Sequence, residues 1–429
     1  MEKSITNHAT YRFSQPLLTA GVFLLPALAL LLPSGYSYGA VVLLIGAIAW
    51  AIEARTAAPA APVPGLVRLL VAVMIAYALV WMGDAAWRGE GLREFDRPSR
   101  FLFAAFCLVA LARSRVRVTA LWAGIAVGGI GTGGFAVWQK IFEGAGRASG
   151  VMQTILYGNL SMLLGLMSLA GLLWAWHQNR RGGWMTAMGI SAVGGITASL
   201  LSGTRGAWLA AVVAVGVGLW TAWRLGRARV YLIVAPLALA VMATAAYLAP
   251  QTGVAHRVDT ATQELKDYFN GTDRRGSVAY RLEMWRGGLI LFGQSPVIGH
   301  GENGYIAKLR ALGDAGVIER PASRFTHAHN DWVNVLAKRG LVGAVILLGL
   351  YLVPAAWFWR SGHQAAGASA ETLALSTAGL IFCLGFMATG FTQVNFNHNA
   401  GAMSYAFMTA VLVGLTRPST GALRTAPRS

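Results

Sequence analysis

Charge is scarce in this chain. Asp, Glu, Lys and Arg make up 12% of its 429 residues, where an ordinary soluble domain carries about 25%. Hydrophobic residues reach 55% and the mean hydropathy is +0.53. A water-soluble fold around one core is thereby excluded, and an all-α polytopic membrane protein is expected. Cysteine is scarcer still. Cys107 and Cys383 both lie inside apolar runs, where a small core residue is expected and a structural disulfide is not. No Cys/His group has zinc spacing, and no carboxylate cluster suits a divalent cation in the polar part of the chain. Acidic residues number 17 against 35 basic ones, which leaves a net charge of +18. That balance suggests nucleic acid until its distribution is traced.

A spanning helix needs about 20 apolar residues. Candidate spans run Leu17–Pro33, Tyr38–Ile52, Leu66–Gly83, Phe101–Ala112, Thr119–Phe142 and Thr154–Trp176, then Trp184–Leu200, Gly206–Trp223 and Val230–Ala249, and finally Leu341–Trp359, Leu373–Gly390 and Gly401–Leu415. About twelve spans put both termini on one side. The segments of that side hold Lys3, Arg12, Arg55, Arg68, Arg113, Arg115, Arg117, Arg180, Arg181, Arg224, Arg227, Arg229, Arg360, Arg417, Arg424 and Arg428, but of the acidic residues only Glu2, Glu53 and Glu371. Such a bias places both termini in the cytoplasm. Most of the excess charge is therefore a topology signal, and no nucleic-acid partner is expected. Lys3 and Arg12 precede an apolar run without a convincing small-residue cleavage site, so the first span is expected to be retained. Tryptophans near span ends (Trp50, Trp81, Trp138, Trp174, Trp176, Trp223, Trp357) read as an interfacial belt facing membrane lipids.

The chain then divides into residues 1–249 with nine spans, 250–340 as one long outer loop, and 341–429 with three spans and a tail. A loop of that length is functional or disordered as a rule, and this one has helical pattern. Val258, Thr262, Leu265 and Phe269 recur at helical spacing, as do Leu282, Trp285, Leu289 and Phe292, with Ser277 as a plausible N-cap. Amphipathic helices at the outer interface are expected. A Gly/Pro-rich turn follows at Pro296, Gly299, Gly301 and Gly304.

Ser277–Gly340 holds most of the polar residues that could carry chemistry. Arg281 and Trp285, four apart, share a helix face. Arg281 and Arg286 have the guanidinium fork that suits phosphate or pyrophosphate, although solvated or snorkelling arginines look the same in sequence. Arg205, in Ser202-Gly-Thr-Arg205-Gly-Ala-Trp208, is held near the membrane surface by a very short connection, as an interfacial anchor or as part of a site. His327 and His329 precede a helix that Asn330 or Asp331 could cap. Helix potential and nearby arginines disfavour protonated histidine, and a neutral imidazole is what a general base needs. Only His329 is in register with Val333, Leu336 and Gly340. Asp96, Arg100, Arg147, Asn159, Asn395, His398 and Asn399 sit at outer span ends, where an interface role is the plainer reading.

These strings, together with Tyr280-Arg281-Leu-Glu-Met-Trp285, Gly299-His-Gly301 and His329-Asn330-x-x-Val333-x-x-Leu336-x-x-x-Gly340, resemble the O-antigen ligase family, grouped with O-antigen polymerases and bacterial O-oligosaccharyltransferases. One departure is Lys338, where an acidic residue is common. The resemblance implies a glycosyltransferase with a GT-C-like helical fold and a periplasmic loop in the bacterial inner membrane. It implies an inverting transfer, without metal or cofactor, of O-antigen glycan from undecaprenyl pyrophosphate to a sugar hydroxyl of lipid A–core in lipopolysaccharide assembly. In that scheme His329 is the base, Arg205 and Arg281 bind the pyrophosphate with Arg286 as a weaker candidate, and Asn330 positions the histidine or acceptor. A polymerase, a protein O-oligosaccharyltransferase and, in another class, a twelve-span transporter are the alternatives.

Overall fold

The computed structural model describes residues 12–55, 62–226, 254–364 and 369–417, with the single positions 244 and 247. Among the described residues all regular structure is helical. Before the polar segment come α1 (Ser14–Leu28), α2 (Gly35–Glu53), α3 (Gly65–Trp87), α4 (Asp96–Arg113), α5 (Val118–Ile141), α6 (Thr154–Ala175), α7 (Arg181–Ser202) and α8 (Ala207–Arg224). Within it lie α9 (Val254–Asn270), α10 (Ser277–Gln294) and α11 (Gly301–Asp314), and after it α12 (Asp331–Gln364), α13 (Ala370–Thr389) and α14 (Asn399–Leu415). Among the described residues eight helices are long and apolar enough to cross a membrane, which makes this a multi-pass membrane architecture. Helices α1 and α14 are apolar but shorter, and α4 starts at Asp96 with a charged first turn rather than at Phe101. The expected ninth span, Val230–Ala249, falls outside the described residues save 244 and 247.

Helices α6 and α13 form the centre, with 83% and 89% of their apolar windows buried against 28% for α3. Small residues explain how α6 gets there: Gly158, Ser161, Gly165, Ser168 and Gly171 recur every three or four positions and let neighbouring backbones approach. Ser168 and Ser191 of α7 share a hydrogen bond of 2.7 Å across that contact. Outward faces are apolar too. On α2, Val41, Ile45, Ile48 and Ile52 form a half-exposed stripe, the surface a helix shows to hydrocarbon rather than to water. Of the tryptophans expected in a belt, Trp138, Trp176 and Trp223 are exposed, but Trp50, Trp174 and Trp357 are core residues. Both cysteines are free and buried.

Hydrogen bonds sort the connections into two ends. At one end Phe13 and Ser14 donate to Glu53, Gln15 to the Arg115 carbonyl, Arg224 to that of His363 and Arg417 to that of Ser114. At the other, the connections after α3, α5, α7 and α13 meet one another and the polar segment. Arg88 donates to the Gly299 carbonyl at 3.0 Å, Arg147 to that of Ser202 at 2.7 Å and Arg97 to that of Asn397 at 3.0 Å.

The polar segment is helical, as its periodicity predicts, with two differences of detail. Ser277 begins α10 rather than capping it. The carboxylate of Glu264 accepts from the Val278 N–H at 2.7 Å and serves as the cap. Gly304 lies inside α11, so the turn is confined to residues 295–300. A second, smaller core of Leu291, Tyr305, Leu309, Ile318 and Ala337 holds α10 and α11 to the start of α12. Helix α12 is broken at Gly340 (φ 59°, ψ −155°), a conformation that side-chain-bearing residues avoid. The turn at 295–300 lies against the break. Leu341 and Val342 donate to the Pro296 and Val297 carbonyls at 2.8 and 3.1 Å, and His300 donates to that of Ala337 at 3.1 Å. The short piece from Asp331 to Arg339 is thus set off from the span that follows.

Candidate active site

The loop before α12 is fixed from four sides. Trp285 Nε1 donates to the Ala328 carbonyl at 2.9 Å, and Lys338 Nζ to that of Thr326 at 2.9 Å. Asn334 Oδ1 accepts from the Ala328 N–H at 3.4 Å. Asn330 Oδ1 accepts from the Trp332 and Val333 N–H groups at 2.9 and 3.2 Å, the bonds of an N-cap. The next residue, Asp331, is buried, donates its N–H to the Gly390 carbonyl at 2.7 Å and accepts from the Asn395 N–H at 3.2 Å. Between these anchors His329 takes a left-handed φ of 48°, uncommon for a residue other than glycine.

His329 belongs to a polar cluster. Its Nδ1 lies 3.0 Å from Gln393 Oε1. Gln393, fully buried, places its Nε2 3.1 Å from His398 Nε2 and 3.5 Å from Gln153 Oε1. The His327 ring stands 4.3 Å from that of His329, edge to face. Burial holds the His329 imidazole below its ordinary range, and Arg281 and His398 push the same way against the Gln393 hydrogen bond. His327 falls further, to about 3, through burial and then the neighbouring His329, Lys338 and His398. His398 is lowered by burial and by Arg97. Each of these shifts favours the neutral ring.

Arg281 sits one turn before Trp285 on α10, so the tryptophan that pins the loop also delivers the guanidinium beside it. Its pKa is depressed by burial and then by Arg205, which extends from the short connection between α7 and α8. Two guanidinium groups are thus held within each other's field. Among the described residues no carboxylate lies within ion-pair reach of Arg281. Close approach of Gly158 to Ser202 and Thr204 seats the Arg205 connection on α6, where a Cβ would collide with both side chains.

Arg286 is not brought to this group. It is exposed and stands 3.9 Å from Glu283. That buried carboxylate is a tie point: it accepts from Tyr268 at 2.8 Å and from the Glu319 N–H at 2.9 Å, with Arg274 at 4.0 Å. Behind the loop other charges are paired as well. Arg339 meets Asp84 at 3.1 Å and Glu90 at 3.9 Å, Arg88 meets Asp84 at 2.7 Å, and Lys338 meets Glu302 at 2.6 Å. Lys338, the departure noted in the sequence, is buried structure. Asp96 and Arg100 pair with each other at 3.0 Å.

Of the residues singled out in the sequence, Arg205, Arg281, His327, His329 and Asn330 therefore converge, joined by His398, for which an interface role was the plainer reading, and Arg286 stands apart. Gln393 and Gln153 escaped notice there. Glutamine just beyond a span carries no local signal, and only the fold brings the two together.

Such a group can hold an anion between arginines and accept a proton at His329 Nε2, which has no protein partner among the described residues. A family model described as O-Antigen ligase matches residues 190–348. An uncharacterized protein of Haemophilus influenzae is 23% identical over 376 residues, covering 88% of this chain and 92% of that one. The resemblance to O-antigen ligases is thus shown over the stretch that carries Arg205, Arg281, Arg286, His329 and Asn330.

Proposed function

We propose that the chain is an O-antigen ligase that transfers a glycan from undecaprenyl pyrophosphate to a sugar hydroxyl of lipid A–core. The observation that carries this reading is a His329 imidazole, whose protonation burial disfavours, beside an arginine with no carboxylate partner among the described residues, itself facing Arg205. A sugar pyrophosphate is already a good leaving group, and the principal demand is stabilising the charge released as the anomeric C–O bond breaks. Arg205 and Arg281 answer it by binding the pyrophosphate. Loss of one preorganised donor of this kind costs about 10²–10³ in rate.

The acceptor oxygen attacks the anomeric carbon from the face opposite the pyrophosphate, which leaves with the bonding pair and inverts the centre. His329 Nε2 takes the acceptor's proton, a contribution of about 10²–10⁴-fold. Asn330, as the cap of α12, holds the histidine in place. The reading needs no cofactor, and charge neutralisation rests on arginine. The site then faces the periplasm of a bacterial inner membrane with both termini cytoplasmic. Support comes from the opposite end of the bundle, where among the described residues Arg12, Arg55, Arg68, Arg113, Arg115, Arg117, Arg180, Arg181, Arg224, Arg360 and Arg417 gather beside only Glu53 and Glu371.

The test incubates purified protein with undecaprenyl-pyrophosphate glycan and three acceptors: lipid A–core, a second donor glycan and a pilin-like protein. Transfer to lipid A–core, resistant to chelator and lost in His329→Ala, is the expected result. Transfer to the second glycan would identify a polymerase, and transfer to protein an oligosaccharyltransferase. Full transfer by folded His329→Ala would remove the base, and unchanged donor use in both Arg205→Gln and Arg281→Gln would remove the clamp.

A further inference from the structure

We propose that Gln393 is a positioning residue that fixes the tautomer of His329, and that Gln153 at the start of α6 fixes the orientation of Gln393. The inference rests on His329 acting as a base through Nε2, and it adds how that nitrogen is kept free of a proton.

The sequence of constraints starts at a group with one possible role. The Leu156 N–H can only donate, and it donates to Gln153 Oε1 at 2.9 Å, the N-cap bond of α6. Gln153 therefore points its carbonyl oxygen at that end of α6 and toward Gln393, 3.5 Å away. A carbonyl oxygen there calls for a donor, so Gln393 turns its Nε2 to Gln153. The second hydrogen of the same amide nitrogen goes to His398 Nε2 at 3.1 Å. Gln393 Oε1 is left facing His329 Nδ1 at 3.0 Å. An amide oxygen only accepts, so Nδ1 carries the ring proton and Nε2 carries the lone pair.

Turning the Gln393 amide over would set its oxygen against the Gln153 oxygen and present a donor to His329 Nδ1. That arrangement moves the proton to Nε2 and abolishes the base. Gln393 is fully buried, so bulk solvent offers its amide no substitute partner. The same logic makes His398 an Nδ1–H tautomer with Nε2 accepting. The groups facing His329 are Arg281 from α10, Phe325 and His327 from its own loop, and Gln393 and His398 from the connection before α14. No carboxylate among them offers Nδ1 an alternative acceptor.

The experiment reads the tautomers directly, without substrate. The full chain is labelled with ¹⁵N-histidine and purified in nanodiscs. The His329 and His398 resonances are assigned by difference against His329→Gln and His398→Gln. Long-range ¹H–¹⁵N spectra at neutral pH are expected to show one Nδ1–H tautomer at each. In Gln393→Leu, His329 becomes a mixture of tautomers, and Gln153→Leu shifts it the same way to a smaller extent. Gln393→Glu offers oxygen on both sides, so His329 keeps Nδ1–H while His398 changes to Nε2–H, a signature that mere loosening would not produce.

In the transfer assay Gln393→Leu lowers kcat more than it raises KM, with a loss bounded by the base's own ~10²–10⁴-fold. Gln393→Glu restores kcat and moves the acidic limb of the pH profile upward. The proposal is overturned if wild-type His329 is Nε2–H, or if folded Gln393→Leu and Gln153→Leu both leave its tautomer unchanged. Tautomers that respond as expected while transfer does not would instead remove His329 as the base and leave the lock standing.

Discussion

Lys338 offers the sharpest test of how the site is held. Its ammonium is buried, 2.6 Å from Glu302 Oε1 and 2.9 Å from the Thr326 carbonyl. In Lys338→Met the stem volume is kept and the charge removed, so Glu302, with a side chain only 17% exposed, loses its counter-ion. Removing one partner of a buried pair costs about 3–5 kcal/mol, mostly through the charge left behind. Adding Glu302→Gln removes that charge, so the double variant should lie closer to the parent. The remaining deficit is the Thr326 hydrogen bond, about 0.5–1.5 kcal/mol. Denaturant titration in detergent micelles, followed by tryptophan fluorescence, measures all three proteins. Thr326 is three residues before His329, so transfer should fall in both variants, including the one whose stability has largely recovered. A double variant as unstable as the single one, or a single variant within about 0.5 kcal/mol of the parent, would refute the argument; the latter is the range of ordinary surface substitutions.

Other consequences can be checked separately. Gly340→Ala forces a side chain into a glycine conformation and presses its Cβ on the Val297 carbonyl; a loss of at least about 1–3 kcal/mol is expected in the same titration. Asn330→Ala removes the cap of α12 at about 0.5–2 kcal/mol, whereas Asn330→Asp, an equally good cap, should melt near the parent. Acid should destabilise the fold through the histidines. The folded pKa of His327, about 3, is below the ordinary 6.5, so between those values the unfolded chain binds more protons and stability falls as pH falls. His327→Gln should flatten that slope in part, because His329 and His398 are shifted in the same direction. An unchanged pH dependence of unfolding in that variant would contradict the assignment.

How much of this was legible in the sequence depended on whether a residue's role was local. Spans α2, α3, α5, α6, α7, α8 and α13 could be placed because hydrocarbon imposes its length on each segment separately. A helix starting at Asn330 or Asp331 was readable from spacing for the same reason, whereas the break at Gly340 was not, because Gly340 falls in the same helical register as Val333 and Leu336. Partnerships across the fold were not readable. Ser277 looked like a cap because its sequence position suits one, while the acceptor came from Glu264 on another helix. Trp50 and Trp174 looked interfacial because they sit near span ends, yet neighbouring helices cover them. Gln393 carried no local signal at all.

The arginines make the same point for function. At this end of the bundle several of them are matched with carboxylates: Arg88 with Asp84, Arg97 with Glu94, Arg100 with Asp96, Arg320 with Asp314 and Arg339 with Asp84, at 2.7 to 3.1 Å. In sequence Arg281 is set apart from Arg286 only by the helix face it shares with Trp285 and by the motif that carries the resemblance. The fold separates them through helix phase. Five residues along α10 turn the side chain by about 140°, so Arg286 reaches Glu283 while Arg281 faces the histidine loop. Half-burying a cation beside a second guanidinium opposes folding, and the fold tolerates it where an anion can complete the site. That placement, more than the count of basic residues, makes Arg281 the donor-binding arginine to test first.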